Sequence, residues 1–343
     1  MWQVLGQERV VALLQRGLAG GGIAHAYLIV GPQHIGKMTL AVDVARAVNC
    51  EAQDRPCGGC RSCMRIGDGK HPDVQVLELQ TQEGEERTQQ SIGIDRVREL
   101  QRTAPLMPFE GRSRVFIING AEHLSGEAAN CLLKVLEEPP AGVLLLLLTS
   151  NEQKVLPTVR SRCQRLELRP LPEEALVQHL TERQALEEEQ ARLIARLSGG
   201  RPGWAFTALA DTQLLSERRE RLAQLLSAVE GSQEERFEFA SRLAGRFSKS
   251  REEVRETLAL WVSWWRDLLL LKGGCDEAVC NIDEKARLAE QAEGLALKDI
   301  AAFIKVLEET ITRLEQNVNP RLALEVLMLS LPAGKRAGVR QGV

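Results

Sequence analysis

Hydrophobic and polar residues follow two different patterns along this chain, and the pattern changes near residue 168. In the first part, short apolar runs of strand length alternate with segments in which apolar residues recur at helical spacing. Strands that are apolar throughout are typical of a parallel sheet covered by helices on both faces. The predicted strands are 26–30, 73–79, 114–118, 143–148 and 164–168.

Beyond Pro172 no further strand is predicted, and apolar residues recur with helical periodicity. We therefore predict an α/β fold followed by an all-helical region, with a polar loop at 80–91. The predicted helices of the second part are 173–184, 187–197, 212–229, 233–247, 251–271, 283–293, 298–316 and 320–331. The expected division is an α/β domain at 1–168, a small helical lid at 169–208, a helical domain at 209–331 and a flexible tail at 332–343.

Composition and charge exclude several classes of protein. The 343 residues carry a formal net charge of −3, which argues against binding nucleic acid through a strongly basic surface. No apolar run approaches the roughly 18 residues of a membrane-spanning helix, and the N-terminus lacks a signal-peptide pattern. A soluble, cytoplasmic protein is expected, and clustered cysteines in that compartment indicate metal binding before disulfides.

A glycine loop follows the first predicted strand and precedes a predicted helix, which is the context of a phosphate-binding loop. Its glycines are Gly31 and Gly36, and Lys37 is placed to reach phosphates. The motif requires a serine or threonine next, because that hydroxyl holds magnesium. Met38 stands there instead, and Thr39 comes one residue late. The loop therefore has the shape of a nucleotide site without all of its chemistry, and retained phosphate binding and a purely structural loop both remain open.

Four cysteines follow in a short segment: Cys50, Cys57, Cys60 and Cys63. Four thiolates at this spacing can converge on one tetrahedral ion, which predicts a closed, structural zinc site. Two alternatives remain, an iron–sulfur cluster and reduced free thiols. Against the cluster, the fourth cysteine of a ferredoxin-type run would fall near residue 67, which is Gly67. The remaining four cysteines are scattered and are interpreted as ordinary small side chains.

Several further motifs coincide with one family. They are the segments HPDV at 71–74, ANCLLKVLEEPP at 129–140, TSN at 149–151 and SRC at 161–163. In this combination the chain resembles clamp-loader subunits of bacterial DNA polymerase III, which are AAA+ proteins, and it is most similar to the delta-prime type. The resemblance covers the whole chain, most strongly 1–170. It implies an AAA+-like domain, a lid and a helical collar that oligomerises with gamma/tau-type and delta subunits. The implied function is loading a sliding clamp on primed DNA as part of a DNA-directed DNA polymerase complex.

Three parts of the family's hydrolysis machinery are altered together. The magnesium-holding hydroxyl is absent, and Asn119 and Gly120 stand where the resemblance places paired carboxylates. Gly203 occupies the position of a nucleotide-sensing arginine, with Arg201 displaced by two residues. Glu122 is interpreted as a surface or capping residue rather than a substitute base. The joint loss predicts a subunit that does not hydrolyse ATP itself.

Arg162 is the candidate catalytic residue. Its place in the SRC triplet matches, by resemblance, the arginine finger that reaches a neighbouring subunit's ATP site. A guanidinium is planar and always charged, so it can stabilise charge that develops on a γ-phosphate. A finger of this kind needs no intact site in its own chain.

Two other functions compete with this interpretation. An active gamma/tau-type ATPase would need Thr39 and Glu122 as unusual replacements. A zinc-knuckle nucleic-acid-binding protein is disfavoured by the acidic balance. Trp261, Trp264 and Trp265 lie at helical spacing and are predicted to pack in a core rather than to stack on bases.

Overall fold

The computed structural model of the protein describes residues 1–20, 22–79, 91–316 and 318–332. The loop predicted at 80–91 and the tail predicted at 332–343 lie outside these ranges, except for their boundary residues Ser91 and Pro332. The described chain forms two compact units. One comprises Met1–Gln178 with Gly200–Trp204, and the other comprises His179–Gly199 with the described residues from Ala205 onward.

The first unit contains a five-stranded sheet in the order β2-β3-β4-β1-β5, in which every pairing is parallel. Its strands are β1 (Ala26–Val30), β2 (Val74–Leu77), β3 (Arg114–Asn119), β4 (Val143–Thr149) and β5 (Gln164–Glu167). All five correspond to predicted strands. The apolar strand at 143–148 therefore runs through the middle of the sheet, between β3 and β1.

Helices cover both faces of this sheet, which explains why its central strands are apolar throughout. In β4, Leu145 and Leu147 pack into one core, whereas Leu144, Leu146 and Leu148 pack into the other. Because successive side chains of a strand point to opposite faces, both sets must be buried. The helices of this region are α1 (Glu8–Ala19), α2 (Lys37–Asn49), α3 (Arg61–Gly67), α4 (Ile94–Thr103), α5 (Gly126–Glu137) and α6 (Pro157–Arg160).

The second unit is built around a helical core without strands among its described residues. Trp261, Trp264 and Trp265 are fully buried there, and Trp261 and Trp265 pack against Phe303. The prediction that these tryptophans pack in a core is confirmed. The helices after β5 are α7 (Glu173–Gln184), α8 (Glu188–Ser198), α9 (Pro202–Ala210), α10 (Thr212–Glu230), α11 (Gln233–Lys249), α12 (Arg251–Lys272), α13 (Lys285–Glu293), α14 (Leu297–Glu315) and α15 (Pro320–Leu329).

The predicted fold class is confirmed: a parallel α/β unit with a glycine loop after β1, followed by helices. The three-part division at 168 and 208 stays a prediction. Within the described ranges, no helix has both the length and the apolar character needed to cross a bilayer.

Candidate functional site

The glycine loop at 31–36 joins the end of β1 to the start of α2, as predicted. A Cβ atom at Gly31 would lie 2.9 Å from the Leu168 carbonyl oxygen, so the close approach requires glycine. Gly36 has a φ of 103°, which also favours glycine. His34 adopts a left-handed φ of 61°, a conformation that costs a residue with a side chain about 1–2 kcal/mol. The surrounding contacts must therefore hold this loop in shape.

Lys37, the residue predicted to reach phosphates, is bonded to its own chain. Its Nζ donates to the carbonyls of Gly31 (2.7 Å) and Pro32 (2.8 Å) and to Ser150 Oγ (3.1 Å). An ammonium group has three donors, so each has an acceptor. Burial lowers the pKa of Lys37 to about 8, although the nearby charge of Glu122 acts in the opposite direction. A phosphate would have to displace these contacts.

The next two residues do not rebuild a magnesium site. Met38 is partly buried and packs against the core on one face of the sheet, and Thr39 is exposed. At the end of β3, the Asn119 amide donates to the Glu78 carboxylate (3.4 Å), so it acts there as a donor. Gly120 follows with a φ of 83° and offers no side chain. None of these four positions supplies an anionic ligand for a hard cation.

Glu122 lies on a short 3₁₀ turn after β3, beside the end of β4. One of its oxygens accepts the backbone N–H of Ser150 (2.9 Å), and Oε2 is buried without a hydrogen-bond partner among the described residues. Sequence analysis expected a surface or capping residue. The carboxylate does cap the Ser150 amide, but it also acts as the counter-charge of Lys37.

Gly203, aligned by resemblance with a sensor arginine, contacts the phosphate loop directly. Its N–H donates to the His34 carbonyl (2.8 Å), and a Cβ atom at 203 would lie 2.7 Å from that oxygen. A larger side chain at this position would have to displace the loop, because interiors are close-packed. The contact also helps to explain how His34 keeps its left-handed backbone.

Arg162 lies just after α6, at the surface, with 36% of its side chain exposed. Its Nη2 pairs with Glu137 Oε1 (2.7 Å), and its Nη1 donates to the Thr158 carbonyl (3.0 Å) and to Ser161 Oγ (3.3 Å). Ser161 in turn donates to the Thr158 carbonyl (3.1 Å). These contacts orient the guanidinium and leave part of it open to solvent.

The neighbouring Cys163 is a packing residue rather than a reactive thiol. It packs against the core on the other face of the sheet, and burial raises its pKa to about 12. A thiol with this pKa stays protonated near neutral pH and is inert. This agrees with the interpretation of Cys163 from the sequence as an ordinary small side chain.

The four predicted metal ligands meet in space. The Sγ atoms of Cys50, Cys57, Cys60 and Cys63 all lie within 4.8 Å of one another. The Cys50–Cys60 and Cys57–Cys63 Sγ distances are both 4.0 Å, close to the roughly 3.8 Å edge of a tetrahedron with Zn–S bonds of about 2.3 Å. The set could hold a metal ion such as zinc.

Backbone N–H groups favour the thiolate form of three of these cysteines, whereas burial raises the pKa of Cys63 to about 12. The N–H groups of Cys57, Cys60 and Cys63 point at the sulfur atoms of Cys50, Cys57 and Cys60, respectively, at 3.3–3.5 Å. Donors from Cys60 and Gly59 lower the pKa of Cys57 to about 6. A thiolate is the form that binds metal, so the residues present fit a thiophilic ion.

Two contact residues were present in the quoted motifs but were given no role from sequence. Ser150, within TSN, binds both Lys37 and Glu122. Glu137, within LEEPP, pairs with Arg162. Motif matching identified the segments, but only the folded chain shows which of their side chains meet.

Comparison with known proteins identifies a consistent group of relatives. The profile of a family described as "DNA polymerase III, delta subunit" matches residues 6–172. The DNA polymerase III subunit delta' of Bacillus subtilis is 28% identical over 329 residues, which cover 96% of this chain and 97% of the relative. The DNA polymerase III subunit gamma/tau of Mycobacterium bovis is 29% identical over 381 residues, covering 98% of this chain but only 61% of that relative. Among solved structures, a gamma subunit-related protein of Thermotoga maritima covers 93% of this chain and 97% of its own, with 17% identity and a TM-score of 0.39.

Proposed function

Because this chain belongs to the clamp-loader subunit family of DNA polymerase III, we propose that it acts as a delta-prime-type subunit that does not hydrolyse ATP. In this proposal Arg162 is an arginine finger for the ATP site of a neighbouring gamma/tau-type subunit. The assembly also contains a delta subunit, acts in the cytoplasm, and places a sliding clamp on primed DNA. The four cysteines hold a structural zinc ion.

The observation that carries the proposal is the contrast within one α/β unit. Lys37 is bonded to its own loop, and Met38, Asn119 and Gly120 supply no anionic magnesium ligand or catalytic carboxylate. Arg162 is partly exposed and is oriented by Glu137. The phosphate loop lacks groups needed for ATP hydrolysis, whereas the arginine can be reached by another chain. This combination fits a subunit that activates its neighbour.

Nucleotide binding is a separate part of the proposal. Gly31, Gly36 and Lys37 keep the loop shape, and Thr39 lies about 100° further round the helix than the missing hydroxyl. We expect at most weak ATP binding, because a phosphate must compete with three acceptors for the Lys37 ammonium.

The test is magnesium-dependent ATP turnover, measured for this chain alone and then mixed with an ATPase-competent gamma/tau-type subunit. We expect no turnover alone and stimulation on mixing. Arg162→Ala should reduce turnover at the neighbouring site by roughly 10³-fold or more, the range known for arginine fingers. Complex formation, followed by size-exclusion chromatography, should be unchanged.

Arg165→Ala is the matched control, because Arg165 is an exposed arginine nearby whose partners are Glu152 and Glu167. It should leave the stimulation intact. Equal turnover with Arg162→Ala and the wild-type chain would remove the finger role.

An active gamma/tau-type ATPase is the second candidate, and the retained Lys37 with the nearby Glu122 carboxylate is the observation in its favour. Substantial turnover by the chain alone, lost in Lys37→Ala, would establish it.

A further inference from the structure

The loop between α4 and β3, residues 104–113, exposes large apolar side chains. Leu106, Met107 and Phe109 are 57%, 87% and 82% exposed. Side chains of this kind are normally buried and stabilise a segment through packing. This loop therefore needs a different source of order.

Two buried polar side chains supply that order. The Asp73 carboxylate accepts the backbone N–H groups of residues 109–111 at distances between 2.7 and 2.9 Å. Asn49 Oδ1 accepts those of Arg112 (2.8 Å) and Ser113 (2.9 Å). Consecutive N–H groups of the loop are thus bonded to two side chains that are fully or almost fully buried.

Arg114 fixes the other side of the same loop. Its Nη1 donates to the Thr103 carbonyl (2.9 Å), and its Nη2 donates to the Met107 carbonyl (3.2 Å) and lies 3.5 Å from Asp73 Oδ1. A carboxylate that accepts several N–H bonds beside a guanidinium is strongly held. Although burial alone would raise the pKa of Asp73, the three loop N–H groups bring it below its usual value.

These anchors lead directly to the four-cysteine centre. Asn49 is the last residue of α2 and immediately precedes Cys50. Helix α3 carries Cys63 and Arg65, and the Arg65 guanidinium pairs with Glu110 of the loop. The loop is therefore connected to the cysteines through the end of α2 and through α3.

Helix α3 depends on the cysteines for its position. It has only 7 residues, too few for a stable isolated helix. Its N-cap is Cys60, whose sulfur accepts the Cys63 N–H, and Arg46 of α2 donates to the Cys63 carbonyl (3.1 Å). A metal ion joining Cys60 and Cys63 to Cys50 would fasten α3 to the end of α2.

We propose that metal binding at the four-cysteine centre orders the 104–113 loop and thereby controls how Leu106, Met107 and Phe109 are presented. The metal acts on the loop through two connections, Asn49 beside Cys50 and Arg65 on α3. This role is independent of whether Arg162 is an arginine finger.

Amide hydrogen exchange of the full chain tests the proposal, with zinc bound, after removal by a chelator, and after zinc chloride is restored. Exchange at 109–113 should accelerate by about tenfold or more on metal removal and return on restoration, while β4 amides stay protected. Unchanged protection of 109–113 in metal-free protein with intact β4 protection would overturn the proposal.

Removal of the metal could also unfold the whole unit, in which case β4 loses protection too. In that case amide exchange is measured on zinc-loaded Arg65→Met, and its zinc content is determined by atomic absorption. Faster exchange at 109–111 at full zinc content supports the proposal, and unchanged exchange overturns it. Arg61→Met is the matched control, since Arg61 lies on the same helix but is exposed, and it should exchange like the wild-type chain.

Discussion

Lys37 and Arg162 are both cations in motifs associated with phosphate chemistry, yet their surroundings are opposite. Lys37 is half-buried, burial lowers its pKa to about 8, and its three donors are bonded to Gly31, Pro32 and Ser150. Arg162 is partly exposed at the surface, and a guanidinium stays charged at any relevant pH. One cation has all its donors bonded within the chain, whereas the other leaves part of its guanidinium open to solvent.

This difference is what we expect if, as proposed, Arg162 serves a neighbouring subunit and Lys37 serves its own loop. The phosphate loop keeps its shape at a cost, since His34 holds a left-handed backbone and Gly203 packs on its carbonyl. Its contacts have become structural. Arg162 is held at the surface by Glu137, Thr158 and Ser161, and part of its guanidinium stays open to solvent. The three predictions below would break or sharpen this contrast.

Met38→Ser restores a hydroxyl at the position where the motif requires one. Because Met38 packs against the core, we expect a loss of about 1–2 kcal/mol in the free energy of unfolding, less than for a fully buried methionine. ATP turnover should stay absent, since Asn119 and Gly120 still supply no carboxylate. Urea denaturation and a turnover assay measure the two effects. Magnesium-dependent turnover by this variant would mean that the phosphate loop lacks only one hydroxyl for ATP hydrolysis. The contrast between a structural Lys37 and a functional Arg162 would then be wrong.

The sequence allowed good prediction wherever the determining residues are close together in the chain. The cysteine spacing, the loop from Gly31 to Lys37 and the apolar strands are local patterns, and each appears in the fold as expected. Contacts between distant segments could not be predicted in this way. Gly203 meets His34, and Asp73 binds residues 109–111, because the sheet order brings separate loops together.

Lys37→Met tests whether holding the charged Lys37 ammonium in the folded loop lowers the free energy of unfolding. The pKa of Lys37 is about 8 in the folded state and 10.5 in the unfolded state. Between pH 8 and pH 10.5 the folded chain therefore binds fewer protons at Lys37 than the unfolded chain does. Stability of the wild-type chain should therefore rise as pH increases through this window, by on the order of 1 kcal/mol relative to Lys37→Met. Urea denaturation at both ends of the window measures the difference. Parallel pH profiles for the two proteins would show that Lys37 is not sequestered.

Glu137→Gln tests whether the exposed arginine is oriented by its own chain. Glu137 is the last residue of α5, where a carboxylate is unfavourable near the negative end of the helix dipole, and Arg162 offsets that charge. A surface pair of this kind contributes about 0.2–1 kcal/mol, so turnover at the neighbouring site should fall by at most about fivefold.

The decisive measurement for Glu137 is a double-mutant cycle in the mixed assembly. If Glu137 acts by orienting Arg162, Glu137→Gln should have no further effect in the Arg162→Ala background. Equal losses in both backgrounds would mean that Glu137 acts through α5 itself. Arg162 would then reach its neighbour without this support, and the contrast with Lys37 would rest on exposure alone.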